Sequence, residues 1–243
     1  VEIRSRLPSF GRDDGLAADW ERIYAGFWDG QFEIEPLDFA EIDQTYLRHW
    51  VRYDGPEIPG TLVVDPRERF LYLVQEGGRA IRYGVGVGRE GFAWSGRATV
   101  GRKAAWPRWT PPHEMTLRDP EAAKWASGMP GGPENPLGAR ALYLYQGNRD
   151  TLYRIHGNND PSSIGTAVSS GCIRMLNQDV IDLHRRVPVG APVVVLGCSG
   201  AARPSERPGA DASGRPRHAP TTPEGITLPA VPPAAGSGAM VCG

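Results

Sequence analysis

The 243-residue chain is short of cysteine, of net charge and of long apolar runs, and each shortage closes off a class of protein. Three cysteines, Cys172, Cys198 and Cys242, are too few for a disulfide scaffold and too widely spaced for a CxxC metal knuckle. Their odd number leaves at least one free or paired between chains. Cys198 and Cys242 can pair and leave Cys172 a thiol, or all three can be thiols. A formal charge of -1 and a pI near 6.6 give no electrostatic footprint for nucleic acid or an anionic membrane, so neither is an expected partner. No run of about 18 apolar residues is present, which excludes an integral membrane helix. The segment Val1-Glu2-Ile3-Arg4 is not the apolar core of a leader, so if the protein is exported its signal is already absent from this chain.

What is present is enough for a packed interior. The hydrophobic share is 40%, with 7 Trp and 8 Tyr, and this excludes disorder of the whole chain. Charge and composition divide the chain in three. Residues 1–56 hold 12 Asp or Glu against 6 Lys or Arg, with Trp20, Ile23, Tyr24 and Phe27 at helical spacing, which predicts an acidic, partly helical segment. The chain breakers Gly55-Pro56-Glu57-Ile58-Pro59-Gly60 then lead into β-type sequence, so a separate β domain is expected over 57–198. Of the 45 residues from 199 to 243, 28 are Pro, Gly, Ala or Ser and none is aromatic, which predicts a disordered tail.

Within the central segment, Thr61–Val64, Phe70–Val74 and Ala80–Val87 are β-branched and aromatic runs separated by Asp-Pro and Gly-Gly, the pattern of antiparallel hairpins. Arg140–Tyr145 and Thr151–His156, joined by Gly147-Asn148-Arg149-Asp150, form another pair, so His156 ends a strand. After Cys172 the period changes to that of a helix, with Asn177 as its expected N-cap and Val180, Leu183, His184 and Val187 on one face. A strand over Pro192–Leu196 follows. Between the strands lies an insert, Trp106 to Gly138, whose seven prolines and three tryptophans predict a stiff aromatic loop. It fits the wall of a groove or a satellite core, and both readings stay open.

Gly86-Val87-Gly88-Arg89-Glu90-Gly91 matches GxGxxG, but Phe92-Ala93-Trp94-Ser95-Gly96 follows where a dinucleotide site needs a helix N-terminus, so no such site is expected. The more informative segment joins His156-Gly157 to Ser169-Ser170-Gly171-Cys172-Ile173-Arg174-Met175. A thiol with an ordinary pKa of about 8.5 is mostly protonated at neutral pH, so a cysteine nucleophile needs a base, and His156 can serve. The fifteen intervening residues suffice for a loop to return to its starting strand end. The backbone N–H groups of Ser170, Gly171 and Cys172 can face a developing oxyanion. A buried thiol and a structural histidine fit these residues equally well. A zinc site on His156 and Cys172 lacks HxxxH or CxxC spacing, so no metal is expected.

The His156-Gly157 and Ser169–Met175 segments together resemble the signature of the L,D-transpeptidase catalytic domain family (YkuD, ErfK/YbiS-like). The likeness extends over about residues 57 to 197, including Pro59-Gly60-Thr61, Asn135-Pro136-Leu137-Gly138, Asn177 and Asp179. Ser170 departs from it, standing where many members carry histidine, so the resemblance gives that side chain no role. The resemblance implies a mainly β fold, an L,D-transpeptidase-like β-sandwich with one short helix after the nucleophile. It implies that Cys172 attacks the third residue of a peptidoglycan stem peptide, releases D-alanine and passes the acyl group to an amine, giving a 3-to-3 cross-link. His156 would be the general base and the Gly157 carbonyl would hold its tautomer.

The same resemblance makes Arg174 a candidate holder of a substrate carboxylate, against the alternative of an internal ion pair that anchors the loop. Tyr143 is a candidate phenol at the site or a core aromatic, and Trp109 a candidate groove residue. No cofactor is implied. Donor and acceptor stem peptides are the implied partners, envelope proteins are alternative acceptors, the location is the periplasm or cell wall, and a carbapenem would acylate Cys172. Water or a free D-amino acid would resolve the same acyl-enzyme differently. The Ser170 departure also leaves room for a non-catalytic wall-binding module.

Overall fold

A computed structural model describes residues 19–38, 42–88, 94–169 and 172–197, all within one compact unit. The elements before the expected domain are α1 (Trp20–Ile23), β1 (Phe27–Asp29), β2 (Phe32–Ile34) and β3 (His49–Arg52). Then come β4 (Leu62–Asp65), β5 (Phe70–Gln75), β6 (Arg79–Gly84), β7 (Gly86–Gly88) and β8 (Gly96–Ala105). The insert carries α2 (His113–Arg118) and α3 (Pro120–Ala123). The remainder is β9 (Arg140–Gln146), β10 (Arg149–His156), β11 (Ala167–Ser169), β12 (Ile173–Arg174), α4 (Asn177–Arg186) and β13 (Pro192–Val195).

The fold is mainly β. Eleven strands hydrogen-bond in the order β11-β7-β12-β10-β9-β8-β13-β4-β5-β6-β3. The principal core draws Leu62, Leu71 and Ile81 from one half of this sheet and Val100, Leu142, Leu144, Ile155 and Ile173 from the other. The two halves therefore face each other as a sandwich, with Val180, Leu183 and Val187 of α4 packed into the same core. Alternation decides which residues enter it. In β5, Leu71 and Leu73 join the principal core while Phe70, Tyr72 and Val74 point the other way, into a second cluster with Val63, Ala80 and Val194. Tyr46, Val51 and Tyr53 of the N-terminal segment pack against that second cluster. This is why β4 and β5 read as continuous apolar runs rather than as alternating ones.

The expected hairpins are present, but the run over Ala80–Val87 divides at Val85 into β6, which pairs with β5, and β7, which pairs with β11 and β12 in the other half of the sheet. Asp65 Oδ1 accepts from the N–H groups of Arg67 and Glu68, and Gly77 and Gly78 take positive φ in the next turn. The N-terminal segment differs from expectation. Its helix stops at Ile23, Phe27 begins a strand, and β3 pairs antiparallel with β6, so part of the segment is an edge of the main sheet. The short spacing match at Trp20, Ile23 and Tyr24 was satisfied by a single turn, and tertiary pairing took the rest. Gly86 and Gly88 of the GxGxxG match begin and end strand β7, Gly91 lies outside the described residues, and a Cβ on Gly86 would press on the carbonyl of Ser163. The tail over 199–243 lies outside the described residues.

Leu144 is fully buried between the sheet halves. Leu144→Ala is expected to lower unfolding stability by about 2–5 kcal/mol in urea titrations, because the cavity cannot collapse between two sheets.

Candidate active site

His156 is the last residue of β10, buried on both sides by sheet neighbours. It pairs with Ala141 of β9 and with Arg174 of β12. Its own carbonyl accepts from Met175 N at 2.8 Å, which fixes the strand end. The ring Nδ1 lies 2.6 Å from the Gly157 carbonyl, so Nδ1 carries the proton and Nε2 keeps its lone pair. Burial, opposed by this hydrogen bond and reinforced by Arg174 and Arg154, pushes the imidazole down from 6.5 to about 4. At neutral pH the ring is therefore neutral, the form a base requires.

Gly157 is held from three sides. Its N–H donates to Arg140 O at 2.9 Å, and a Cβ in its place would collide with Asn177 Oδ1 and Ala139 N. Asn177, expected as an N-cap, is instead the first helical residue of α4, after Leu176, and its side chain does other work. Its Oδ1 accepts from Ala139 N at 2.9 Å and Asn158 N at 3.3 Å, while its Nδ2 donates to Asn158 O at 2.9 Å. One amide thus joins the end of the insert to the backbone just past His156.

Cys172 precedes β12, 5% exposed, in a cavity of about 10 Å³ lined by Val87, Trp94, Tyr153 and Val195 among others. Trp94 and Tyr153 stack there, ring centroids 5.0 Å apart. Cys172 is disulfide-bonded, with its partner outside the described residues. This overturns both expected thiol arrangements, since Cys172 is neither left free by a Cys198 to Cys242 pair nor one of three thiols. Ser170 and Gly171, the other expected oxyanion donors, lie outside the described residues.

Arg174 is half-buried opposite His156, and its side chain makes no hydrogen bond or ion pair among the described residues. Burial lowers its pKa from the ordinary guanidinium value, with Asp160 opposing. The internal ion pair weighed for it is not formed within 4 Å. Tyr143 is placed differently from a site phenol facing Cys172. Its ring lies between the guanidinium groups of Arg102 and Arg154, at 3.6 and 4.5 Å from the ring centre, and it does not line the cavity at Cys172. Trp109 pairs with Met129 inside the insert and is also absent from that cavity. The insert itself is internally braced. Buried Asn135 donates to Pro107 O and Pro130 O, each at 3.0 Å, and accepts from Leu137 N at 2.9 Å. It borders the loop after His156 through Asn159 Nδ2, which donates to Glu134 O at 3.1 Å. Trp94 and Tyr153 are the cavity residues that sequence reasoning missed; Trp94 stood in the stretch dismissed with GxGxxG.

A buried charge network fixes α4 from behind. The Tyr24 hydroxyl meets both oxygens of Asp179 at 3.1–3.2 Å and accepts from Arg48 N at 2.7 Å. Arg48 contacts Asp182 at 2.5 Å and Asp179 at 3.5 Å. Tyr83 and Arg186 also reach Asp182, both at 2.8 Å. Burial, with the Asp182 charge adding and Arg48 opposing, pushes Asp179 up to about 7.

The model of the YkuD family, described as the L,D-transpeptidase catalytic domain, matches residues 59–195, from just before β4 to the end of β13. The chain belongs to this family. Among curated relatives of the L,D-transpeptidase family, Probable L,D-transpeptidase YbiS of Escherichia coli is 36% identical over 138 residues, 54% of this chain and 43% of that protein. Probable L,D-transpeptidase ErfK/SrfK of Escherichia coli is 34% identical over 141 residues, 56% of this chain and 43% of that one. The chain spans less than half the length of either. Among solved structures, one from Brucella melitensis described as a probable carnitine operon oxidoreductase CaiA is 51% identical, covering 64% of this chain and 96% of that one, with a TM-score of 0.45. An L,D-transpeptidase from Mycobacterium smegmatis is 20% identical, covering 56% and 58%, with a TM-score of 0.41.

The pKa shifts set a pH dependence of stability. His156 and His184, each lowered from 6.5 to about 4 chiefly by burial, bind fewer protons folded than unfolded, so stability is lost as pH falls from 6.5 towards 4. Asp179, raised from 3.8 to about 7, works in the opposite sense: its contribution is present at low pH and is lost as pH rises through about 7. In thermal unfolding, His184→Gln is expected to flatten the fall in Tm on acidification between these limits. Asp179→Asn is expected to steepen it. A variant profile parallel to that of the parent would contradict the assignment of these groups.

Proposed function

We propose that the chain is a cysteine L,D-transpeptidase acting on peptidoglycan stem peptides, with Cys172 as nucleophile and His156 as general base. The observation that carries this reading is the His156 ring, neutral at pH 7 and oriented by Gly157 O, on a strand hydrogen-bonded to the one that follows Cys172. Family membership supports the reaction class.

In the reduced enzyme His156 Nε2 takes the Cys172 proton, and the thiolate attacks the carbonyl carbon of the third stem residue. Negative charge on the carbonyl oxygen is met by the backbone N–H groups of Ser170, Gly171 and Cys172. Collapse breaks the peptide bond to D-alanine, whose nitrogen receives the proton from His156, and leaves a thioester on Cys172. An acceptor amine then attacks the thioester, His156 removes its proton, and the thiol is regenerated with a new amide bond. Arg174, half-buried beside His156 and with no side-chain partner among the described residues, holds a substrate carboxylate. Trp94 and Tyr153 form the apolar wall at the sulfur.

Peptidoglycan as substrate places the enzyme in the periplasm or cell wall, and no helix among the described residues is long and apolar enough to cross a membrane. The disulfide at Cys172 counts against that sulfur as a nucleophile until a thiol reduces it, so the proposal is one for the reduced protein.

Reduced protein incubated with muropeptide tetrapeptides is expected to release D-alanine and yield cross-linked dimers by mass, and to gain the mass of a carbapenem on Cys172. Cys172→Ala is expected to lose both, and His156→Ala to slow acylation about 10²–10⁴-fold. Omitting the reductant should suppress both reactions. Full turnover by Cys172→Ala would sink the proposal, and binding of muropeptides without any acylation would favour a wall-binding module.

A further inference from the structure

A second cavity, of about 400 Å³, lies between the N-terminal segment and α4, and its size is that of a small-ligand site. Five guanidinium groups line it: Arg22 from α1, Arg48 before β3, Arg140 from β9, and Arg185 and Arg186 from α4. Among the described residues, two carboxylates, Asp29 and Asp182, face them there. Both are heavily subscribed. Asp29 meets Arg140 through both oxygens, at 2.6 and 2.8 Å, and accepts from Trp106 Nε1 at 2.8 Å. Asp182 is shared by Arg48 at 2.5 Å, Arg186 at 2.8 Å and Arg185 at 3.9 Å.

The lining therefore carries five positive charges against two negative ones. Two further carboxylates stand behind it: Asp19, 2.8 Å from Arg22, and Asp179 beside Arg48. Counting both as fully charged still leaves five against four. Arg185, 59% exposed, has only the distant edge of a shared carboxylate. Basic residues in the last turn of α4 complement the helix dipole. That accounts for Arg185 and Arg186 but not for guanidinium groups converging from α1, β9 and the approach to β3. Ile23, Phe27 and Ile181 add apolar surface beside the charges.

We propose that this cavity binds an anionic ligand bearing carboxylate or phosphate groups on a short apolar frame, at a site separate from Cys172. Guanidinium forks match the paired oxygens of either group, and the excess positive charge selects for anions. Three of the charged lining residues, Arg22, Asp29 and Arg48, precede the span matched by the family model, so the site is a property of this chain's N-terminal segment together with α4.

The test is calorimetric titration of the whole chain with pyrophosphate and, separately, with glutarate. At least one probe is expected to bind saturably at one site per chain, more weakly as salt rises from about 50 to about 500 mM. Preference for pyrophosphate would identify a phosphate source, and preference for glutarate a carboxylate source. Arg185→Ala is expected to weaken binding about tenfold or more, and Arg185→Glu to abolish it. Arg149→Ala, at an exposed hairpin position, should bind like the parent. Thermal unfolding of each variant checks that it is folded, and Arg22→Ala replaces Arg185→Ala should the latter fail. Absence of saturable binding by both probes, no loss on Arg185→Ala, or equal losses in Arg185→Ala and Arg149→Ala would overturn the proposal. Cys172→Ala should bind the probes normally, which keeps this result independent of the transpeptidase reading.

Discussion

The side-chain amide of Asn177 is the constraint on which the candidate site depends. It satisfies Ala139 N, Asn158 N and Asn158 O at once, and it occupies the space that a side chain at Gly157 would need. The peptide after His156 is thereby fixed, and with it the carbonyl that decides which ring nitrogen carries the proton. Gly138 shows the same crowding, since a Cβ there would strike Asn158 N and Asn177 Oδ1. Three chain segments far apart in sequence meet at one amide, and none can shift without releasing a buried polar group.

That arrangement needs α4 to be immobile, and the charges behind it supply this. Asp179 and Asp182 sit one turn apart on α4 and are engaged by Tyr24 and Arg48 of the N-terminal segment and by Tyr83 of the sheet. Gln178 adds a bond to Glu35 O at 2.8 Å. Buried charges of this kind contribute little net stability compared with apolar packing, but removing one partner leaves another stranded. Their effect here is positional. The N-terminal segment, which lies outside the matched span, is thus tied through α4 to the residues around His156.

Much of this was legible in the sequence because it rests on local pattern. Hairpins punctuated by Asp-Pro and Gly-Gly, a strand ending at His156 and a helix over Val180 to Val187 are local events, and each is found where the pattern puts it. The pairing of β3 with β6 was not legible, because an edge strand gains its hydrogen bonds from a partner about thirty residues away while its sequence carries only a weak period. Nor was the role of Asn177. An asparagine before a helical run reads as a cap, and only the fold shows its amide spent on other loops. Trp94 was hidden for a related reason, since a stacking partner such as Tyr153 leaves no mark on spacing. Cys172 is disulfide-bonded, a state that composition leaves open.

Strand β13 occupies the middle of the sheet, antiparallel to β8 on one side and parallel to β4 on the other. Its residues Val193 and Val195 enter the principal core and Val194 the second cluster. The two halves of the sheet are joined in the hydrogen-bonding order through this strand alone. Its partner β4 lies about 130 residues earlier, so the pairing closes a very long loop, and contacts of such sequence separation form slowly. During synthesis, the first half of the sheet has an exposed edge at β4 until β13 arrives. The sheet is thus completed late in the emergence of the chain.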